Sequence, residues 1–313
     1  MTFSQILLPL DGSLIAESTL PYARALAAAL KLPIKLLSVI ETSAILGSGD
    51  RERRFDGLVE QVMRGSEDYL REIARSMGGL LVEWRIEQGN AADVIIQSAR
   101  KDLDALIAMA THGRSGVKRW LLGSVAEKVL RASANPLLLV KAPQGNPGRE
   151  LPLRSMIVPL DGSELAETPL PTALEMARSL GIELLLVRAS EIPVTAYWRT
   201  AEDKGVEKFV PIYEEVLAAA TEEARAYLET KAAELRAQGV QYVRTVLPTG
   251  PAADAIVDLA RHTLGSLIIM CTHGRSGVAR WVLGSVTDKV VHHCASPVLV
   301  LRPALWAGEH FPC

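Results

Sequence analysis

Residues 111–125 read THGRSGVKRWLLGSV, and residues 272–286 read THGRSGVARWVLGSV, with thirteen of the fifteen positions identical at an offset of 161. Repeats constrain a fold more than any local propensity, because each copy must satisfy the same architecture. Two further echoes fix the extent of the copies. ILLPLDGS (6–13) returns as IVPLDGS (157–163), with Asp11 matching Asp161 at an offset of 150, and NPLLLVK (135–141) returns as SPVLVLR (296–302). The chain of 313 residues therefore reads as one domain written twice, each copy long enough to bury its own core. The expected boundaries are a first domain at 1–143, a linker at 144–152 within the Pro- and Gly-rich KAPQGNPGRELP (141–152), a second domain at 153–303 and a tail at 304–313. The offset grows from 150 to 161, which places a net insertion in the second copy, most of it around 190–210.

Within each copy, apolar runs of strand length alternate with longer helical patterns. In the first these are strands at 6–10, 34–40, 81–87, 104–110 and 136–140. Helices are expected at 14–31, capped by Ser13, at 56–77, ended by Gly78-Gly79, from Asn90 to about 101, and from Ser124 to 133, with a polar loop at 42–54. The second copy places strands near 156–160, 182–187, 241–247, 266–271 and 297–301. Strict alternation of this kind specifies an α/β fold, a parallel sheet with helices on both faces. Both fifth strands are apolar and flat, and each begins with proline. They are expected to pair antiparallel across a local two-fold, making a pseudo-dimer within the chain. Pairing with a second chain is the competing arrangement.

Composition excludes several function classes. Thirty-four basic against thirty-six acidic residues leave a formal charge of −2, which gives no electrostatic reason to bind nucleic acid or an anionic membrane. No apolar run has the length of a membrane span, and the beginning, MTFSQILLPLDGS, lacks a basic flank and a cleavage signal, so a cytoplasmic protein is expected. Cys271, Cys294 and Cys313 form no CxxC pair. The first two read as core residues and the last as a free terminal thiol. His292-His293 lacks a second pair of ligands and reads as surface or packing, and Trp120 and Trp281 read as loop anchors.

The residues that carry chemistry collect at strand ends, where open parallel sheets bind ligands. Asp11 and Asp161 follow the first strands. The carboxylate either caps the following turn or accepts hydrogen bonds from the hydroxyl or amino groups of a nucleoside. After the fourth strands, Gly113, Gly116 and Gly123 are expected to permit positive φ and close backbone approach. Ser124 opens a helix whose dipole favours an anion, and Arg114, Lys118 and Arg119 supply cations. Gly274, Arg275, Gly277, Gly284 and Ser285 repeat the arrangement. It suits a phosphate chain, although a tight turn with a solvated basic face would use the same residues. His112 and His273 either touch phosphate or hold the turn. GxxxxGK[ST], GxGxxG after a first strand and HExxH are all missing, and GRSG is one residue short of GxSxG. Binding is better supported than catalysis.

LPLDGS and the two THGRSG loops resemble the universal stress protein family, in a tandem form covering residues 3–142 and 154–302. Nucleotide-binding members carry Gly, two residues, Gly, nine residues, Gly and then Ser or Thr. Gly113, Gly123 and Ser124 match it, as do Gly274, Gly284 and Ser285, while Ala110 and Cys271 replace the first Gly. The resemblance implies two tandem five-stranded sheets of order 3-2-1-4-5, with ATP and Mg²⁺ at the carboxyl edge and the metal carried by the nucleotide. It also implies that Asp11 and Asp161 face the nucleoside, that the backbone of Val39 and Val187 contacts adenine, and that the Gly loops with Ser124 or Ser285 hold phosphates. Family members also pair through the fifth strand, so a homodimer is an open arrangement. Their cellular roles are usually regulatory, with at most slow hydrolysis. A true ATPase or nucleotide-transferring enzyme, or an interaction module without nucleotide, are the alternatives.

Overall fold

The computed structural model describes residues 3–41, 52–111, 122–141, 153–190, 209–272 and 283–302, with side chains at 52–56, 58 and 209–217 left undescribed. The first half runs β1 (Ile6–Pro9), α1 (Leu14–Glu17), α2 (Leu20–Leu30), β2 (Ile34–Ile40), α3 (Glu52–Ser76), β3 (Val82–Gln88), α4 (Ala91–Arg100), β4 (Leu106–Ala110), α5 (Ser124–Ala132) and β5 (Leu137–Val140). The second runs β6 (Ser155–Pro159), α6 (Glu164–Glu167), α7 (Leu170–Leu180), β7 (Glu183–Val187), α8 (Phe209–Ala237), β8 (Val243–Val246), α9 (Ala252–His262), β9 (Ser266–Cys271), α10 (Ser285–His293) and β10 (Val298–Leu301).

The strands form one sheet in the order β3-β2-β1-β4-β5-β10-β9-β6-β7-β8. Each half has the order 3-2-1-4-5, all parallel, and the two sheets expected from the sequence are fused into a single ten-stranded one. The fusion is the antiparallel pairing of β5 with β10, in which Leu139, Leu138 and Leu137 face Val298, Leu299 and Val300. Leu138 and Leu299 are equivalent positions of the repeat and lie opposite each other, so the local two-fold passes between them, as an isologous contact requires. Both are fully buried. α2 and α7 pack against each other on one face of this seam, and Arg302, just after β10, donates to the Leu130 carbonyl in the last turn of α5. Burial pushes the Arg302 guanidinium down to about 10, which leaves it charged at neutral pH. One apolar core lies on each face of the sheet, and each runs through both halves. The outer edge β3 exposes Glu83, Trp84 and Arg85, and charges of this kind discourage further pairing.

Local chemistry explains where elements stop. The helix expected over 14–31 is broken into α1 and α2, because Pro21 has no N–H to donate to the Glu17 carbonyl and its ring crowds that turn. Ser18 and Thr19 bridge the break by donating their hydroxyls to the carbonyls of Ile15 and Ala16, both at 2.6 Å. α3 begins at Glu52, four residues before the expected start at 56. Residues 42–51, the linker residues 142–152, most of the expected insertion (191–208), Trp120, Trp281 and the tail with Cys313 lie outside the described residues. Cys271 and Cys294 are buried, and burial pushes the Cys294 thiol up.

Asn135 ties β5 to the connection before β4. Its Nδ2 donates toward the carbonyls of Ala99, Asp102 and Ala105 at 3.2, 2.8 and 3.1 Å. The residue is 1% exposed. Asn135→Ala would remove its donor from all three carbonyls, although Ala99 and Asp102 keep the backbone N–H of Asp102 and Ala105, so a loss of about 1–2 kcal/mol in unfolding stability is expected by urea titration. Ser296 holds the equivalent place, its hydroxyl within 2.9 Å of the Ser266 hydroxyl and hydrogen-bonded to the Cys294 thiol. Ser296→Ala should cost only about 1 kcal/mol.

Candidate functional site

In an open sheet of this order, the strand order reverses between the first and fourth strands, and the crevice beyond their carboxyl ends is the natural ligand site. In the second half that point lies between β6 and β9. A cavity of about 510 Å³ opens there, within the ordinary range for small-molecule sites. Its wall includes Asp161 after β6, Val187 at the end of β7, Cys271 at the end of β9, and Gly284 and Ser285 at the start of α10. Five residues singled out from the sequence, scattered over 125 positions, thus line one cavity.

Asp161 is oriented by its own turn. Its Oδ1 accepts from the Ser163 N–H at 2.9 Å and from the Ser163 hydroxyl at 2.6 Å, and Ser163 in turn caps α6 by accepting from the Ala166 N–H at 3.2 Å. Asp11 does the same with Ser13 at 3.0 and 2.6 Å. Gly12 and Gly162, between each pair, sit at φ 77° and 86°, a conformation that only glycine adopts cheaply. The turn-capping reading of these carboxylates is therefore satisfied, while Asp161 still borders the cavity.

The two loops after the fourth strands are pinned at their bases. Gly123 N–H donates to Thr111 C=O at 2.6 Å, and Gly284 N–H to Thr272 C=O at 2.8 Å. Gly123 and Gly284 serve as helix N-caps at φ −65° and −58°. The positive φ expected at Gly123 is not present. That backbone is open to any residue, so conformation alone does not call for glycine there. Thr287 anchors α10 by donating its hydroxyl to the Cys271 carbonyl at 2.9 Å. His112, Gly113, Arg114, Gly116, His273, Gly274, Arg275 and Gly277 lie outside the described residues. In the first half, Asp11, Ala110, Gly123 and Ser124 occupy the corresponding strand and helix ends, and Val39 stands one residue before the end of β2.

Sheet register corrects one equivalence. Pro9 pairs with Leu37, and Pro159 with Val187, so Val187 corresponds to Leu37, and the counterpart of Val39 is Ala189. Ala189 also lines the cavity. The sequence reading also passed over the cluster under the cavity floor. Tyr227 donates to Glu167 at 2.7 Å, Lys231 pairs with Glu167 at 2.9 Å, and Arg188 lies 5.2 Å from the centre of the Tyr227 ring. Burial tends to raise the Glu167 carboxyl, but the Lys231 and Tyr227 hydrogen bonds outweigh it and hold the group below its usual range. Burial, then the hydrogen bond to Glu167, pushes the Tyr227 phenol well up. Tyr69 and Glu17 repeat the bond at 3.1 Å in the first half. That Tyr–Glu pair, present in both copies, was the signal available in the sequence.

The sequence profile of the universal stress protein family matches residues 2–141 and 152–302. The chain belongs to the universal stress protein family. A universal stress protein of Mycolicibacterium smegmatis is 24% identical over 315 aligned residues, covering 95% of this chain and 97% of the relative. One from Methanocaldococcus jannaschii is 27% identical over 144, covering 45% of this chain and 84% of the relative. One from Mycobacterium tuberculosis is 27% identical over 205 residues, covering 63% of this chain and 61% of the relative. The crystal structure of a universal stress protein from Archaeoglobus fulgidus superposes with a TM-score of 0.64 at 24% identity, covering 95% of this chain and 98% of the other. The family profile thus matches the chain twice, once in each copy of the repeat. No described helix is long and apolar enough to cross a membrane.

Proposed function

We propose that this universal stress protein binds ATP with Mg²⁺ at the carboxyl edge of each half and acts as a cytoplasmic regulatory protein with at most slow hydrolysis. The observation that supports the reading is the second-half cavity at the strand-order reversal, bordered by Asp161, Cys271, Gly284 and Ser285. In this reading the α10 N-terminus, with the Ser285 hydroxyl and the unpaired N–H groups of a first helical turn, takes the phosphates. Asp161, held by Ser163, faces the ribose, and Val187 and Ala189, at and just past the end of β7, border the base. Mg²⁺ arrives on the phosphates and supplies charge neutralisation there. Among the described residues no group of three His, Cys, Asp or Glu converges as a metal site. The halves act as domains 1–143 and 153–303.

Two ATP sites per chain are expected by calorimetry, the first-half site being tighter because Ala110 leaves more room than Cys271. An absent heat, or a single tight site assigned to residues 153–303, would contradict this. Nucleotide released from denatured, freshly purified protein gives the independent check. A steady-state turnover within the ordinary enzyme range of about 1–10³ s⁻¹ would instead favour a true ATPase.

A further inference from the structure

The halves differ in charge where the second strand ends. By sheet register Arg188 stands at the position of Ser38. By helix register, anchored on the Tyr69–Glu17 and Tyr227–Glu167 bonds, Glu223 stands at the position of Gly65. Two small residues in the first half are thus a cation and a carboxylate in the second, and both line the second-half cavity. The Arg188 side chain is only 14% exposed, stacked over Tyr227, while Glu223, 3.4 Å away, is 76% exposed. An exposed partner at that distance contributes little. The guanidinium is sheltered at a cavity wall, where an ionic ligand would meet it with less screening.

Its place relative to the other anion-favouring feature is set by topology. The α10 N-terminus stands at the end of β9, Asp161 at the end of β6, and Arg188 just past β7, in that order across the sheet. Adjacent strands are about 4.8 Å apart, so the two features are at least about 10 Å apart along the sheet, with Asp161 between them. They approach the cavity from opposite faces, Arg188 beside Tyr227 of α8 and the α10 N-terminus from the other side. A ribose at Asp161 with its 5′ phosphates on α10 turns its 2′ and 3′ oxygens and base toward β7.

We propose that the second half selects an adenine nucleotide bearing a second phosphate on the ribose 2′ or 3′ oxygen, held by Arg188, and that the first half, with Ser38, does not. This rests on the nucleotide reading of the cavity. It makes Arg188 a specificity residue and the tandem chain a protein with two unlike sites.

The test is calorimetry of the full chain with ATP, AMP, adenosine 3′,5′-bisphosphate and adenosine 2′,5′-bisphosphate, on the wild type and on Arg188→Ser and Arg188→Lys. One of the bisphosphates is expected to bind one site per chain at least about tenfold tighter than AMP, the worth of one charge-assisted contact. Arg188→Ser should bring that ratio to about one with AMP affinity unchanged, and Arg188→Lys should keep part of it. Equal loss for AMP and bisphosphate in Arg188→Ser would mean that Arg188 only props Tyr227, and would overturn the proposal. ATP binding with no bisphosphate preference in the wild type overturns it while leaving the nucleotide reading intact. No binding of any of the four overturns both.

Discussion

Leu299→Lys is expected to part the two halves of the sheet. Leu299 is fully buried opposite Leu138, in the core that also holds Leu26 of α2 and Ala173 of α7. An ammonium at this position has no carboxylate partner from the pairing strand, since β5 presents only Leu137 to Val140. Losing the leucine costs about 3–5 kcal/mol, and an unpaired buried charge adds several more. The seam joins two units that each keep four parallel partners, so it is the place where the sheet yields at lowest cost. The wild type should scatter with a radius of gyration near 20 Å, the value for a compact chain of this length, whereas two units of about 15 Å on a tether should give roughly 25 Å or more. Leu299→Ala, which removes volume without adding charge, should lower the melting temperature and leave the scattering compact. A wild type that already scatters as two separated beads, or a Leu299→Lys chain as compact and stable as wild type, would show that the β5–β10 pairing does not hold the halves together.

That seam was legible in the sequence because PLLLV and PVLVL are apolar on both faces, which marks strands covered on both sides and leaves one ladder edge to be satisfied. The order 3-2-1-4-5 came through the resemblance, and the fusion of two such sheets follows from the seam. Register was harder. IKLLSVI continues as a strand through Ile40, while IELLLVR leaves the ladder at Arg188 and touches it again only at Ser190, opposite Thr249. Counting from the strand end therefore pairs Val39 with Val187, whereas counting from the repeated first strand of each half pairs Val39 with Ala189. Arg188 was missed for a related reason: a charged residue after an apolar run reads as the end of a strand, and only the fold shows it folded back over Tyr227. The φ of Gly123 was misread because glycine in a loop has two uses, conformation and space, and composition does not distinguish them.

That distinction gives the sharpest test of the phosphate assignment. Gly284→Val is expected to remove nucleotide from the second half while the protein stays folded. At φ −58° and ψ 142° valine fits the backbone without strain. Its N–H still donates to Thr272, so the loop base stays closed. Loss of a favoured N-cap residue costs about 1 kcal/mol, a shift of a few degrees in melting temperature. The two methyl groups, however, enter the space at the start of α10 where a phosphate oxygen would approach the first-turn N–H groups. A steric block of that kind removes the charge-assisted hydrogen bonds rather than weakening one, so ATP affinity at that site should fall at least 100-fold, or about 2.7 kcal/mol. Gly123→Val, at φ −65°, should do the same in the first half, each variant leaving one site per chain by calorimetry. Two sites of unchanged affinity in Gly284→Val, with a native melting curve, would remove the phosphates from α10 and leave the cavity to a different ligand orientation.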